Sequence, residues 1–283
     1  MKIVSKAYSG SVTVASTSVS TYKDTNGLSI YYYPELAKVL LDCVEDFLTE
    51  NEVPFTMDKD NYTLTVFDET IKIILGSNYS SSSSYALGAI MRYPISGCAY
   101  TNTSSSNTLG FIINSSMKKG SYGFILDLYY TKNICIVKIR TSSSASTSKY
   151  TLANFLRGRL LYNNRDITVI GAWSSLYVNN NNSAMCSMSP SSLTTSYTSV
   201  FKGDDDNYYV APYKFGFERS STYNGYASDY TPVVPAIDTY GYIHYYDMYM
   251  TKQGILSPYS YYEINGETYF AIADNLLIKD STT

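Results

Sequence analysis

The chain has 283 residues, 45% hydrophobic and only 16% charged, enough to bury a large core in about one to three domains under a charge-poor surface. Its 21 basic and 24 acidic side chains give a net charge of −3, and the longest basic run is Lys118-Lys119, which excludes a surface built to track phosphates. No apolar run approaches the ~20 residues a helix needs to cross a bilayer. Residues 1–10 lack the apolar core of about 7–15 residues that marks a signal peptide, so synthesis in the cytosol without export by that route is expected. Thirty-two residues are tyrosine. With its apolar ring and polar tip, Tyr suits surfaces that are half dry and half wet, as protein–protein contacts are. Cys43, Cys98, Cys135 and Cys186 are widely spaced, with no C-x-x-C; reduced thiols are expected, and zinc is not.

Residues 1–30 are rich in Ser, Thr and Val and read as an N-terminal arm or an edge strand, the arm ordering against a neighbour. A helix follows over Pro34–Glu50. Pro34 suits the first helical position, and Leu36, Val39, Leu40, Cys43, Val44, Phe47 and Leu48 form one apolar stripe against an acidic opposite face. Residues 61–75 read as a hairpin turning at Asp68-Glu69. The run 80–84 is all serine and reads as a flexible segment. Strands are predicted over 85–93, 109–113, 123–130 and 134–140. After a Ser/Thr-rich linker at 141–148, Leu152, Phe155, Leu156 and Leu160 predict a short helix over 151–161, and 167–173 predicts a buried strand. The expected fold class is therefore α+β: an antiparallel β-meander with one long and one short helix over 31–175, then an Asn/Ser/Thr-rich loop at 176–199, then a Tyr-rich β region over 200–283.

His244 is the only histidine and so the only ready base near neutral pH, but no G-x-S-x-G elbow accompanies it. In strand alternation it shares a side with Tyr242 and Tyr246, as an interface or packing residue does. An EF-hand starting at Asp204 requires an acidic residue at its twelfth position, where Phe215 stands. Another kind of calcium loop at Asp204-Asp205-Asp206-Asn207 stays open beside a solvated acidic turn. Tyr rings and Trp173 offer faces on which a sugar can stack, though Trp173 closes an apolar strand and core packing is favoured for it. The sign of a carbohydrate-binding receptor module is Tyr side chains lining a shallow open groove. A cell-wall hydrolase requires two carboxylates within about 10 Å in a cleft. No pair is singled out, Asp127 and Asp247 being the least ordinary acids.

Near the C-terminus Tyr261-Tyr262-Glu263-Ile264 and Glu267-Thr268-Tyr269-Phe270 flank Asn265-Gly266, the strongest short hairpin signal, because a type I′ turn needs positive φ at both central residues. This hairpin, continued by Ala271-Ile272-Ala273-Asp274-Asn275-Leu276-Leu277-Ile278-Lys279, resembles the closing hairpin of virion structural proteins of tailed bacteriophages. The resemblance implies a non-enzymatic component of the particle, at the baseplate or tail periphery, or else in the neck or as head decoration. Such a protein is made in the host cytoplasm, resides in the virion, and assembles with copies of itself and other virion proteins, with a host-surface glycan open as a further partner. It implies no cofactor, metal or catalytic residue. On physical grounds Tyr242, His244, Tyr246, Tyr261, Tyr262 and Tyr269 are the interface candidates.

Overall fold

A computed structural model describes residues 1–11, 20–23, 29–32, 34–77, 87–92, 109–112, 117–118, 121–141, 149–173, 199–205, 208–210, 233–235, 241–250, 256–257, 259–273 and 276–280. In chain order they form β1 (Lys2–Gly10), β2 (Ser20–Lys23), β3 (Ser29–Tyr32) and the helix α1 (Pro34–Glu50). Six strands follow: β4 (Thr56–Asp58), β5 (Thr63–Val66), β6 (Glu69–Ser77), β7 (Leu87–Arg92), β8 (Leu109–Ile112) and β9 (Met117–Lys118). The longest run of strands comes next, with β10 (Ser121–Thr131), β11 (Ile134–Thr141), β12 (Lys149–Leu160) and β13 (Arg165–Trp173). Short strands complete the chain: β14 (Ser199–Lys202), β15 (Tyr208–Val210), β16 (Val233–Pro235), β17 (Tyr242–Tyr245), β18 (Met248–Met250), β19 (Tyr261–Ile264), β20 (Glu267–Ala273) and β21 (Leu276–Lys279).

These strands make three antiparallel sheets, and with one helix among the described residues the fold is a β-rich α+β structure. The large sheet runs β1-β10-β11-β12-β13-β14-β15, with β9 on β10 and the β16–β17 pair on β12. It therefore draws strands from both sides of residues 176–199. A second sheet runs β2-β3-β6-β5-β4 and extends from β6 through β7 to β8; a third runs β18-β21-β20-β19. No helix among the described residues is long and apolar enough to cross a membrane.

The central strands β11–β13 of the large sheet are buried on both faces. On one, Leu40, Val44, Phe47 and Leu48 of α1 pack with Leu64, Val66, Ile71 and Ile73 of the second sheet and with Phe124, Leu126 and Phe155. On the other, Ile136, Leu156 and Leu160 meet Phe270, Ile272, Leu276 and Ile278 of the third sheet. Of the stripe expected on α1, Leu40, Cys43, Val44, Phe47 and Leu48 are buried and Val39 is half-buried; Leu41, absent from the stripe, is fully buried too. Cys43 and Cys135 are free, buried thiols, and burial pushes both up to about 12. Cys98 and Cys186 lie outside the described residues, as do the 80–84 serine run and most of 141–148 and 176–199.

Two expectations are corrected. Residues 151–161 do not form a helix: 149–160 are β12, hydrogen-bonded to β11 and β13. Leu152 and Phe155 face the α1 side while Leu156 and Leu160 face the third sheet. A strand apolar on both faces reproduces helical spacing by accident. Gly158 belongs to that strand because β17 crosses close beside it: a Cβ there would stand 2.7 Å from the His244 carbonyl oxygen. The first hairpin turns at Phe67-Asp68 rather than Asp68-Glu69, with Val66 paired to Glu69 and φ of 52° and 68° at the turn residues. An aromatic residue rarely takes that conformation. Phe67 is held in it by packing against the core, by the Arg157 guanidinium 5.6 Å from its ring centre, and by the Thr168 hydroxyl, which donates to its carbonyl.

At the C-terminal hairpin Asn265 and Gly266 have φ of 53° and 79°, and Tyr261↔Phe270 through Ile264↔Glu267 pair in the expected register. Residues 2–10 order against their own chain as the end strand of the large sheet, pairing with β10 along their whole length. The Lys6 ammonium there donates to Asp46 (2.7 Å) and Glu50 (2.6 Å) of α1, and the Tyr8 hydroxyl donates to Asp46 (2.9 Å).

Candidate functional site

The turn at Tyr246-Asp247 joins two layers: β17 before it pairs with β12 of the large sheet, and β18 after it with β21 of the third. It is pinned from several directions. Asp247, at φ 57°, accepts from the Asn133 amide (2.8 Å) and the Thr131 hydroxyl (3.3 Å), and its carbonyl accepts from the Lys279 backbone N–H (2.8 Å). The Tyr246 N–H donates to the Arg157 carbonyl at 3.0 Å. Beside this turn is an open cleft of about 270 Å³, with Lys132, Asn133, His244, Tyr246, Tyr249 and Lys279 in its walls, together with Asp247, Glu267 and Tyr269; its third-sheet residues lie on the face of that sheet turned away from the large sheet.

One ion pair lies in the cleft wall. The Lys279 ammonium donates to Glu267 at 2.5 Å and the Tyr269 hydroxyl to the same carboxylate at 3.0 Å. These bonds hold Glu267 below the ordinary carboxyl range, and Glu267 in turn raises Lys279. The aromatic rings are braced edge-on: His244 against Tyr246 with centroids 5.9 Å apart at 75°, Tyr249 against Tyr269 at 4.9 Å and 81°. Burial first, then the charge of Arg159, holds His244 below the ordinary imidazole range.

That depression has a sign. A histidine whose folded pKa lies below its unfolded value stabilises the fold fully above the unfolded pKa, and loses that contribution as pH falls below about 6.5. Stability measured by urea denaturation is expected to decline between pH 7 and pH 5.5, and His244→Gln is expected to flatten that part of the profile. An unchanged slope in the variant would place the decline elsewhere.

The six interface candidates separate into three places. His244 and Tyr246 are half-buried in the cleft wall. Tyr242 is 56% exposed beside the turn after β12, where Leu161 and Tyr162 are also exposed and the Leu161 N–H donates to the Tyr242 carbonyl at 2.9 Å. Tyr261, 60% exposed, stands edge-on to Phe270 at 5.1 Å near exposed Tyr259, while Tyr262 is half-buried and its hydroxyl accepts from the Ser257 N–H. Tyr269 is 3% exposed and sits with Leu256, Ala271 and Leu277 in a small core. Its ring is therefore not open to a partner, because strand alternation cannot distinguish a covered face from an open one. Leu161, Tyr162, Tyr249 and Tyr259 were not legible as surface residues. For Leu161-Tyr162 the available signal was the turn chemistry of Asn163-Asn164 directly after them.

Among the acids, Asp204 accepts from the Tyr162 hydroxyl and the Asn163 amide and forms an ion pair with Arg165 Nε at 2.9 Å, so its carboxylate ties two turns together. Asp206 and Asn207 lie outside the described residues, and among those described no group of three or more His, Cys, Asp or Glu side chains converges on one point. Asp127 is buried, accepting from the Ser5 hydroxyl at 2.5 Å. The backbone of Trp173 pairs with Thr151; its side chain is outside the described residues. Comparison with protein-family models, curated proteins and solved structures gives no match.

Proposed function

We propose that this chain is a non-enzymatic structural component of a tailed-phage particle, made in the host cytoplasm and built into the virion at the baseplate or tail periphery, or else as a neck or head-decoration protein. The observation that supports it best is the exposed patch of Tyr242, Leu161 and Tyr162, three large hydrophobic side chains held at the start of β17 and on the turn after β12. Rigid exposed aromatics of this kind are what the centre of a protein–protein contact uses. In this reading the successive strands β10–β13 are a meander that acts as scaffold, and the Tyr-rich C-terminal strands present the contact surfaces. The reading also draws on the resemblance of the closing hairpin.

One of the two acids in the cleft is set against the acid role that bond cleavage requires. Glycoside hydrolysis needs one carboxyl group whose pKa is raised so that it can act as an acid. Glu267 in the cleft is held the opposite way by Lys279 and Tyr269.

The reading is tested with Tyr242→Ser and Tyr162→Ser, both at exposed positions that leave the core intact. Purified wild-type chain is expected to associate with itself, or with purified particles lacking it, in sedimentation velocity and mass photometry. Each variant is expected to weaken that association about 30-fold, the scale of a hot-spot residue, with an unchanged circular dichroism melt. A wild-type chain that stays monomeric and does not join particles would overturn the proposal.

A further inference from the structure

We infer that the cleft beside the Tyr246-Asp247 turn binds a neutral saccharide. This goes beyond assembly and does not rest on it, since the cleft and the exposed Tyr242 patch use different residues.

The walls combine two half-exposed rings, Tyr246 and Tyr249, with fixed polar groups. Each ring is braced from behind, Tyr246 by the edge of His244 and Tyr249 by buried Tyr269. A ring already immobilised loses little entropy when a flat ligand lies against it. The polar groups are equally preorganised. The Asn133 amide is fixed on Asp247, and the Lys279–Glu267 pair closes the opposite wall with Tyr269 donating to it. An open cleft that offers aromatic surface together with placed donors and acceptors is the form that small-molecule sites take.

The charges decide the class of ligand. Lys132 and Lys279 balance Asp247 and Glu267 in number, and burial shifts His244 toward its neutral form. A phosphate or carboxylate entering here would face two acids, one of them already occupying Lys279. A polyamine would face two lysines. A hydrocarbon would strip water from a fixed ion pair without replacing its hydrogen bonds, which is unfavourable. A polyhydroxylated ring avoids all three penalties. Its C–H face lies on a tyrosine, and its hydroxyls donate to Glu267 or Asp247 and accept from Lys279, Lys132 or Asn133.

His244 makes the test direct. It is the only histidine in the chain and lies in this wall, so its imidazole proton resonances report on the cleft without further assignment. Full-length protein would be titrated by NMR and calorimetry with maltotriose, lactose, mannotriose and chitotriose, and separately with inorganic phosphate and spermidine. At least one neutral sugar is expected to shift the His244 resonances saturably, and the two charged probes are not. Tyr249→Ser is expected to weaken that binding about tenfold or more, while Tyr261→Ser, outside the cleft lining, leaves it unchanged. Because Tyr249 also braces Tyr269, Lys132→Ala, an exposed change that spares the core, is a second probe and is expected to weaken binding by a smaller factor. The inference fails if none of the four sugars shifts His244, if phosphate or spermidine binds there instead, or if binding survives Tyr249→Ser at full strength in a folded variant. Failure here with intact self-association leaves the assembly proposal standing; loss of association with intact sugar binding does the reverse.

Discussion

Lys138→Ala is expected to destabilise the protein by about 3–5 kcal/mol, and Asp127→Ala by a similar amount. Lys138 is 0% exposed and Asp127 3%, and the two stand opposite each other in the β10–β11 ladder. Asp127 accepts from Ser5 of the end strand, and the Lys138 ammonium lies 4.5 Å from the centre of the Tyr129 ring. Both charges have given up most of their hydration, and the opposite sign across the ladder is expected to offset part of that loss. Truncating one strands its neighbour as an uncompensated charge in a low-dielectric setting. Removing both is a different experiment. The double variant Asp127→Leu, Lys138→Met replaces two desolvated ions by side chains that need no hydration, and is expected to recover most of the loss. The measurement is urea denaturation of the four proteins, read as a double-mutant cycle. Single variants that each lose less than about 1 kcal/mol with an unchanged m-value would show that this part of the sheet is hydrated in solution.

The large sheet and what packs on it show why some of the structure could be read in advance and some could not. The helix α1 was legible because its period, its proline start and its acidic outer face agree with one another. The Asn265-Gly266 hairpin was legible because its turn chemistry is local. For β12 the local signal was ambiguous: residues 152, 155, 156 and 160 fit a helical stripe as well as they fit a strand covered on both sides. The partner that settles it, β17, lies more than eighty positions along the chain, where Gly158 pairs with Tyr245. The cleft was illegible for the same reason. Asn133, Tyr246, Glu267 and Lys279 sit on four different turns and strands, and only the meeting of two sheets puts them together. Of the residues proposed for it here, the sequence had singled out His244, Tyr246, Tyr269 and Asp247, and of these only the tyrosines and His244 as contact residues. Asp127 stood out as an acid within an apolar strand, but its opposite number Lys138 was legible only once the register was known.

Phe47→Ala in α1 is expected to cost about 3–5 kcal/mol, whereas Lys6→Ala, which removes two ion pairs to the same helix, is expected to cost a small fraction of that. The comparison separates burial from charge as the force that seats the helix. Phe47 is 0% exposed, in the core cluster that α1 shares with the second sheet and the large sheet, and its deletion leaves a cavity that three elements would have to collapse to fill. Its carbonyl also anchors the end of the helix, accepting from the Asn51 N–H (3.3 Å) and the Asn51 amide (2.7 Å), while Glu52 takes the left-handed conformation (φ 55°) that stops the helix and Val53 N–H returns to Leu48 (3.0 Å). A void beneath that turn is therefore expected to loosen the cap as well as the core. Lys6 is different: its bonds to Asp46 and Glu50 are short, but they lie in solvent, where hydration replaces most of what the pair provides and salt screens the rest. Hydrogen exchange would localise the effect, with Phe47→Ala expected to lower protection across α1 and β6 together and Lys6→Ala to lower it only near the N-terminal strand. Equal losses from the two variants in 0.5 M salt would mean that the helix is held from its acidic face, and that the apolar stripe is not what places it.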